Sequence, residues 1–136
     1  MGDKFLLYSG NDDTASNFVM RGGNGCISVT ANVAPEQMHD LMVAALEKDV
    51  DRVKKINEPL LGLYRNLFLE SNPIPVKWAA WRVGLITSPY CRPPLSELDT
   101  KYYKDVETAL FAAGLLDFEV LGFEAKVPLP ELFVQA

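Results

Sequence analysis

The side chains of this 136-residue chain that could act as nucleophile, base, metal ligand or Schiff-base amine are a single histidine, two cysteines, an Asp-Asp pair and a scatter of lysines. A nucleophile needs a base within hydrogen-bond reach, and none is offered. His39 falls on the expected outer side of a helix with no Ser or Cys near it in sequence, which is the pattern of a surface histidine. Cys26 and Cys91 lack the paired spacing of a zinc site and make a poor disulfide framework, so both are expected as reduced thiols. Asp12-Asp13 could be an acid/base pair or metal ligands, but carboxylates at a helix start are explained by capping and the helix dipole, and capping is the preferred reading. Gly22-Gly23-Asn24-Gly25 follows a helix and precedes a strand, the reverse of a phosphate-binding loop. Lys4, Lys48, Lys54, Lys55, Lys77, Lys101, Lys104 and Lys126 all miss the carboxyl ends of the expected strands, so no lysine is placed for Schiff-base chemistry. The expectation is therefore no catalytic residue, no metal and no cofactor in this chain.

The elements that would position a site lie between Leu6 and Val33. Leu6, Leu7 and Tyr8, then Cys26, Ile27 and Val29, are short apolar runs of the kind found in strands covered on both faces. Ser9-Gly10-Asn11-Asp12 ends the first run with turn and cap residues, and the glycines after Arg21 let a helix stop and a strand begin. The product is a strand-helix-strand unit. Such crossovers are right-handed with parallel strands, so the carboxyl ends at Gly10 and near Ala31 should open on one face, where ligands bind in α/β folds.

Composition sets the remaining limits. With 49% hydrophobic and 23% charged residues the chain reads as one globular domain. A formal net charge of -5, with Lys54-Lys55 the only basic pair, argues against nucleic-acid and anionic-membrane surfaces. No apolar run approaches the roughly 18 residues of a membrane helix, and Met1-Gly2-Asp3-Lys4 carries no signal-peptide pattern, so a cytoplasmic setting is expected.

Helices should dominate after the second strand. Ala34-Pro35 opens one with Met38, Leu41, Met42 and Ala45 on its apolar face. Asp49 caps the next, where Val53, Ile56, Leu60, Leu63 and Leu67 recur at helical spacing and Pro59 must kink or break the element. After Asn72-Pro73, Pro75 can open a helix over 76–83, ended by Gly84, whose Trp78 and Trp81 fill a helix-helix interface. A loop over 87–94 leads to a final helix from Thr100 to Ala113, with Tyr103, Val106, Leu110 and Ala113 on one face and Gly114 ending it. The last twenty residues, with Phe118, Val120, Phe123, Val127, Leu129, Leu132, Phe133 and Val134, are too apolar for a free tail and should lie against this chain or a partner.

The words SGNDD, GGNGCISVTANVAPEQM, LFLESNPIPVKWAAWRVGL, RPPL and AAGLL occur in an order that resembles the carboxyl-terminal half of the 4-hydroxy-tetrahydrodipicolinate synthase (dihydrodipicolinate synthase) family, from about Lys4 to Leu116. The resemblance implies an α/β chain forming part of a (β/α)₈ barrel. Residues 1–34 would supply strands seven and eight, and 35–116 the last barrel helix and a helical carboxyl-terminal extension; 117–136 would be an apolar tail that departs from the family. It implies a homotetrameric lyase of lysine biosynthesis that condenses pyruvate with aspartate semialdehyde through a Schiff base. The Schiff-base lysine, the tyrosine and threonine of the proton relay, the semialdehyde-binding arginine and the feedback-lysine site would all precede Met1. Two substrate-binding positions carry over: Gly10, in the family's S-G-D-D turn with Asn11 replacing the first Asp, and Ile27, of G-x-I-S-V, whose backbone contacts the pyruvate unit.

Two strands taken from a closed barrel would each expose an unpaired edge. The expectation is that the chain is a truncated product or fragment, or that it pairs with another copy or with an amino-terminal half. Pyruvate is then a ligand only if the barrel is completed. The alternative is a non-catalytic assembly or scaffolding module derived from that fold.

Overall fold

The computed structural model describes residues 5–117; Lys4, Lys126 and the apolar tail beyond Asp117 lie outside the described residues. Two short strands, β1 (Tyr8–Ser9) and β2 (Gly25–Cys26), flank helix α1 (Asp12–Met20). They pair in parallel, with Tyr8 opposite Gly25 and Ser9 opposite Cys26, as the strand-helix-strand reading requires. The connection from α1 to β2 is tight. A Cβ at Gly23 would stand 2.2 Å from the Phe18 ring, so only glycine fits there while Phe18 keeps its place.

Among the described residues, the apolar runs of the strands are not covered on both faces. Leu6, Leu7, Tyr8 and Ile27 are 58%, 47%, 53% and 72% exposed, because among the described residues each strand has only the other as neighbour. The second run is also shorter in strand form than its apolar length: Val29 precedes a 3₁₀ turn, Thr30–Asn32, instead of extending β2.

The remainder is helical. α2 (Pro35–Leu46) starts at the expected proline and buries Met38, Leu41 and Ala45, with Met42 partly buried. α3 (Val50–Asn57) is capped by Asp49, whose carboxylate accepts from the Arg52 amide. Pro59 breaks the long amphipathic stretch: a 3₁₀ turn over Glu58–Leu60 separates α3 from α4 (Leu61–Asn66). The stripe nonetheless continues across the break, with Val53, Leu60, Leu63 and Leu67 all buried. α5 (Ile74–Arg82) begins slightly earlier than Pro75 predicts and carries that proline in its first turn. α6 (Tyr103–Ala112) follows a 3₁₀ turn at Thr100–Tyr102. α2 lies between α1 and α3, and α6 packs on α4 and α5, so the core sits among the helices and leaves the small sheet at one side.

Gly84 and Gly114 end α5 and α6 with positive φ, as the sequence indicates, but the equivalent position after α2 is Lys48, at φ 59°. There the Lys48 and Asp49 amides donate to the Ala45 and Ala44 carbonyls, a closing pattern that favours glycine. Replacing Lys48 by Gly relieves the left-handed strain and is expected to stabilise the chain by about 1 kcal/mol, read as a higher urea midpoint at unchanged slope. Among the described residues, no helix is long and apolar enough to cross a membrane.

Candidate functional site

The carboxyl ends of β1 and β2 form the site that the sequence singles out. The ladder brackets them: the Asn24 amide donates to the Leu7 carbonyl at 2.7 Å, and the Ile27 amide donates to the Ser9 carbonyl at 2.8 Å. Asn24 adds a side-chain rung, its Oδ1 accepting from the Leu7 amide at 2.7 Å. With Ser9 opposite Cys26, the next positions in register are Gly10 and Ile27. The structure therefore brings together the two residues named from the sequence, both exposed and neither carrying a group that can accept or deliver a proton. The Ser9 hydroxyl accepts from the Asn11 amide at 3.1 Å and so closes the turn around Gly10.

Asp12 departs from the capping expectation. Asn11 is the N-cap of α1 and makes no side-chain cap bond. Asp12, only 4% exposed, instead sends its carboxylate across to the loop after β2. Oδ2 accepts from the Thr30 amide at 2.8 Å, and Oδ1 accepts from the Cys26 thiol at 3.6 Å. Sequence alone gave no sign of this bond, because its partner is a backbone amide 18 residues away.

Burial, and then the Asp12 charge and hydrogen bond, push the Cys26 thiol up to about 11 from an ordinary value of 9.0. Thiolate is the reacting species, so alkylation of Cys26 should be far slower at pH 8 than that of an unstructured cysteine and should rise steadily through pH 10. Peptide mapping after iodoacetamide treatment separates Cys26 from the buried Cys91. Tyr64 on α4 is shifted the same way, by burial first and then by Asp12, Cys26 and Asp13; its hydroxyl donates to Asn57 Oδ1 at 2.9 Å. Both groups hold their protons more tightly folded than unfolded. Their contribution to stability is thus complete below pH 9 and is lost as pH rises through 11 and beyond. Denaturant midpoints measured from pH 8 to 11 should fall with pH.

Tyr64, Asn11, Asp12, Asp13 and Phe68 line a cleft of about 310 Å³ beside the start of α1. A second groove, of about 610 Å³, runs from Val29 and Asn32 to α5, where Lys77 lines it and donates to the Tyr90 carbonyl. The other described lysines lie on helices or turns, and His39 is exposed on α2. Among the described residues no three His, Cys, Asp or Glu side chains are grouped to hold a metal ion. At the strand ends the arrangement can shape a ligand's surroundings and offer main-chain groups.

Residues 1–113 match the model of the dihydrodipicolinate synthetase family. The 4-hydroxy-tetrahydrodipicolinate synthase of Psychromonas ingrahamii is 47% identical over 116 residues, which is 85% of this chain and 40% of the relative. That of Laribacter hongkongensis is 52% identical over 112 residues, 82% of this chain and 38% of the relative. Among solved structures, the chloride-inhibited dihydrodipicolinate synthase of Acinetobacter baumannii complexed with pyruvate is 42% identical, with a TM-score of 0.79, over 83% of this chain and 38% of that one. The Aquifex aeolicus enzyme is 36% identical, with a TM-score of 0.79, over 85% and 39%. The match falls in the carboxyl-terminal part of these relatives, and the chain spans about 40% of their length. On residues 1–113, the chain belongs to the dihydrodipicolinate synthetase family.

Proposed function

We propose that this chain is the carboxyl-terminal portion of a pyruvate-dependent Schiff-base lyase that condenses pyruvate with aspartate semialdehyde in lysine biosynthesis. In this reading β1 and β2 are strands seven and eight of a (β/α)₈ barrel, residues 35–116 are the last barrel helix and the helical extension, and Gly10 and Ile27 form one wall of the pyruvate pocket. The observation that carries it is the parallel register that sets Gly10 beside Ile27 at the strand ends, in a fold shared with a relative solved in complex with pyruvate. The exposure of Leu6, Tyr8 and Ile27 supports the same reading, because these are the side chains that flanking strands and a barrel interior would cover.

The division of labour follows from the side chains. Gly10 leaves room and Ile27 offers backbone, so this portion orients pyruvate and excludes water, while the amine, the proton relay and the semialdehyde-binding cation come from residues preceding those described here. Partners are then pyruvate, once the barrel is complete, and an amino-terminal half or further copies. Relatives include an enzyme described as a monomeric variant, so self-association is not a requirement of the fold.

Borohydride trapping tests the assignment. The chain is mixed with a polypeptide carrying the amino-terminal part of the Acinetobacter baumannii enzyme, treated with pyruvate and borohydride, and weighed intact. The pyruvyl adduct is expected on the amino-terminal polypeptide. An adduct on this chain, treated alone, would overturn the claim that it holds no Schiff-base lysine.

A further inference from the structure

The segment from Ile27 to Thr30 is held at both ends by groups from the other side of the site. At its start the Ile27 amide donates to the Ser9 carbonyl of β1. At its end the Thr30 amide donates to the Asp12 carboxylate of α1. Thr30 is wholly buried, so water is not available to replace that acceptor, and a charged acceptor makes the stronger bond. The same carboxylate receives the Cys26 thiol at the end of β2. Its position in the first turn of α1 adds the favourable end of the helix dipole. Asp12 is thus spent on backbone and thiol, with both oxygens engaged, and is built as a link between the two loops that leave the strand ends.

We propose that Asp12 is a positioning residue, whose carboxylate locks the loop after β2 to the start of α1 and thereby fixes where Ile27 presents its backbone to a ligand at the strand ends. The link to a ligand rests on the pyruvate-pocket reading above; the lock itself does not. Asp12→Ala removes both bonds. Asp12→Asn keeps an acceptor for Thr30 but turns an amide donor toward Cys26, so the two variants separate the backbone lock from the charge.

Amide exchange of Thr30, followed by NMR in the full chain, reads the lock directly. Asp12→Ala should speed exchange about 10- to 100-fold, as expected for loss of a bond to a charged acceptor, while Asp12→Asn stays within about threefold of the native chain. Cys26 alkylation reads the charge: in Asp12→Asn its pH midpoint should fall below that of the native chain, while burial, the larger cause, still holds it above the ordinary thiol value. Paired with the amino-terminal polypeptide, Asp12→Ala should raise the KM for pyruvate about tenfold with kcat changed less than about threefold, and Asp12→Asn should restore most of the KM. Unchanged Thr30 exchange in a folded Asp12→Ala chain overturns the lock, and a Cys26 profile in Asp12→Asn that superimposes on the native one overturns the thiol contact of the same carboxylate. A fall in kcat at constant KM overturns the positioning role. If Asp12→Ala does not fold, Thr30 exchange in Asp12→Ser, whose side chain ends short of the Thr30 amide, decides in its place, and native-like exchange there overturns the lock. Native chains that pair without turnover count against the lyase reading, and the exchange results then judge the lock independently.

Discussion

Trp78→Ala should lower the unfolding free energy by about 3–5 kcal/mol, a large part of the stability of a domain this size, measured by urea denaturation. Trp78 is 2% exposed on α5 and stacks on Tyr103 of α6 with ring centroids 4.5 Å apart, while Trp81 tilts against it at 6.1 Å. Removing the indole empties the contact that seats α6 on α5, and a rigid helix pair closes such a void only in part. A second substitution separates packing from polarity. The Trp78 Nε1 is buried and meets no acceptor among the described residues, so its N–H contributes a penalty and not a bond. Trp78→Phe keeps much of the stacking and deletes that donor; it should cost about 1 kcal/mol or less. Equal losses for Ala and Phe would mean that the indole N–H carries the effect.

The second large effect is expected at Glu107. Its Oε1 lies 2.5 Å from Arg82 Nε, with side chains 22% and 8% exposed, so the pair joins α6 to α5 beside the Trp78 stack. Glu107→Ala takes one charged hydrogen bond from a largely buried guanidinium and should destabilise by about 2 kcal/mol. The pair between Arg52 and Glu47 offers the control. Its side chains are 39% and 58% exposed, and Glu47→Ala should cost no more than about 0.5 kcal/mol. Comparable losses at both sites would contradict the burial argument.

Local signals made most of the helical fold legible. Pro35 starts α2, Asp49 caps α3, and Pro59 breaks the long stripe into two helices whose apolar faces stay in phase. Each works through neighbours within a turn, where sequence and geometry are tightly coupled. The strand-helix-strand unit was legible for the same reason, and the parallel pairing followed from handedness. Gly10 and Ile27 are named only through the family resemblance, since neither bears a chemical group that sequence reading can flag. The covering of the strands is not visible within this chain: apolar runs report what a strand is suited to contact, and Leu6, Leu7, Tyr8 and Ile27 find no such contacts among the described residues. Asp12 reads as a cap because a carboxylate at a helix start looks the same whether it caps its own helix or reaches a distant amide. What distinguishes the two is a contact between Asp12 and Thr30, and periodicity carries no trace of it. Lys48 was unreadable in the same sense, a left-handed position without the glycine that would announce it.

On the proposed reading, this chain shapes a pyruvate site whose reacting groups lie on an amino-terminal half. The most direct measurement is turnover. The full chain, co-purified with the amino-terminal part of the Acinetobacter baumannii relative, is assayed for condensation of pyruvate with aspartate semialdehyde, beside each polypeptide alone. A rate is expected from the complex and none from either component. Turnover by this chain alone, or a stable complex that binds no pyruvate and turns over nothing, would contradict it; the second result would leave an assembly module as the better description.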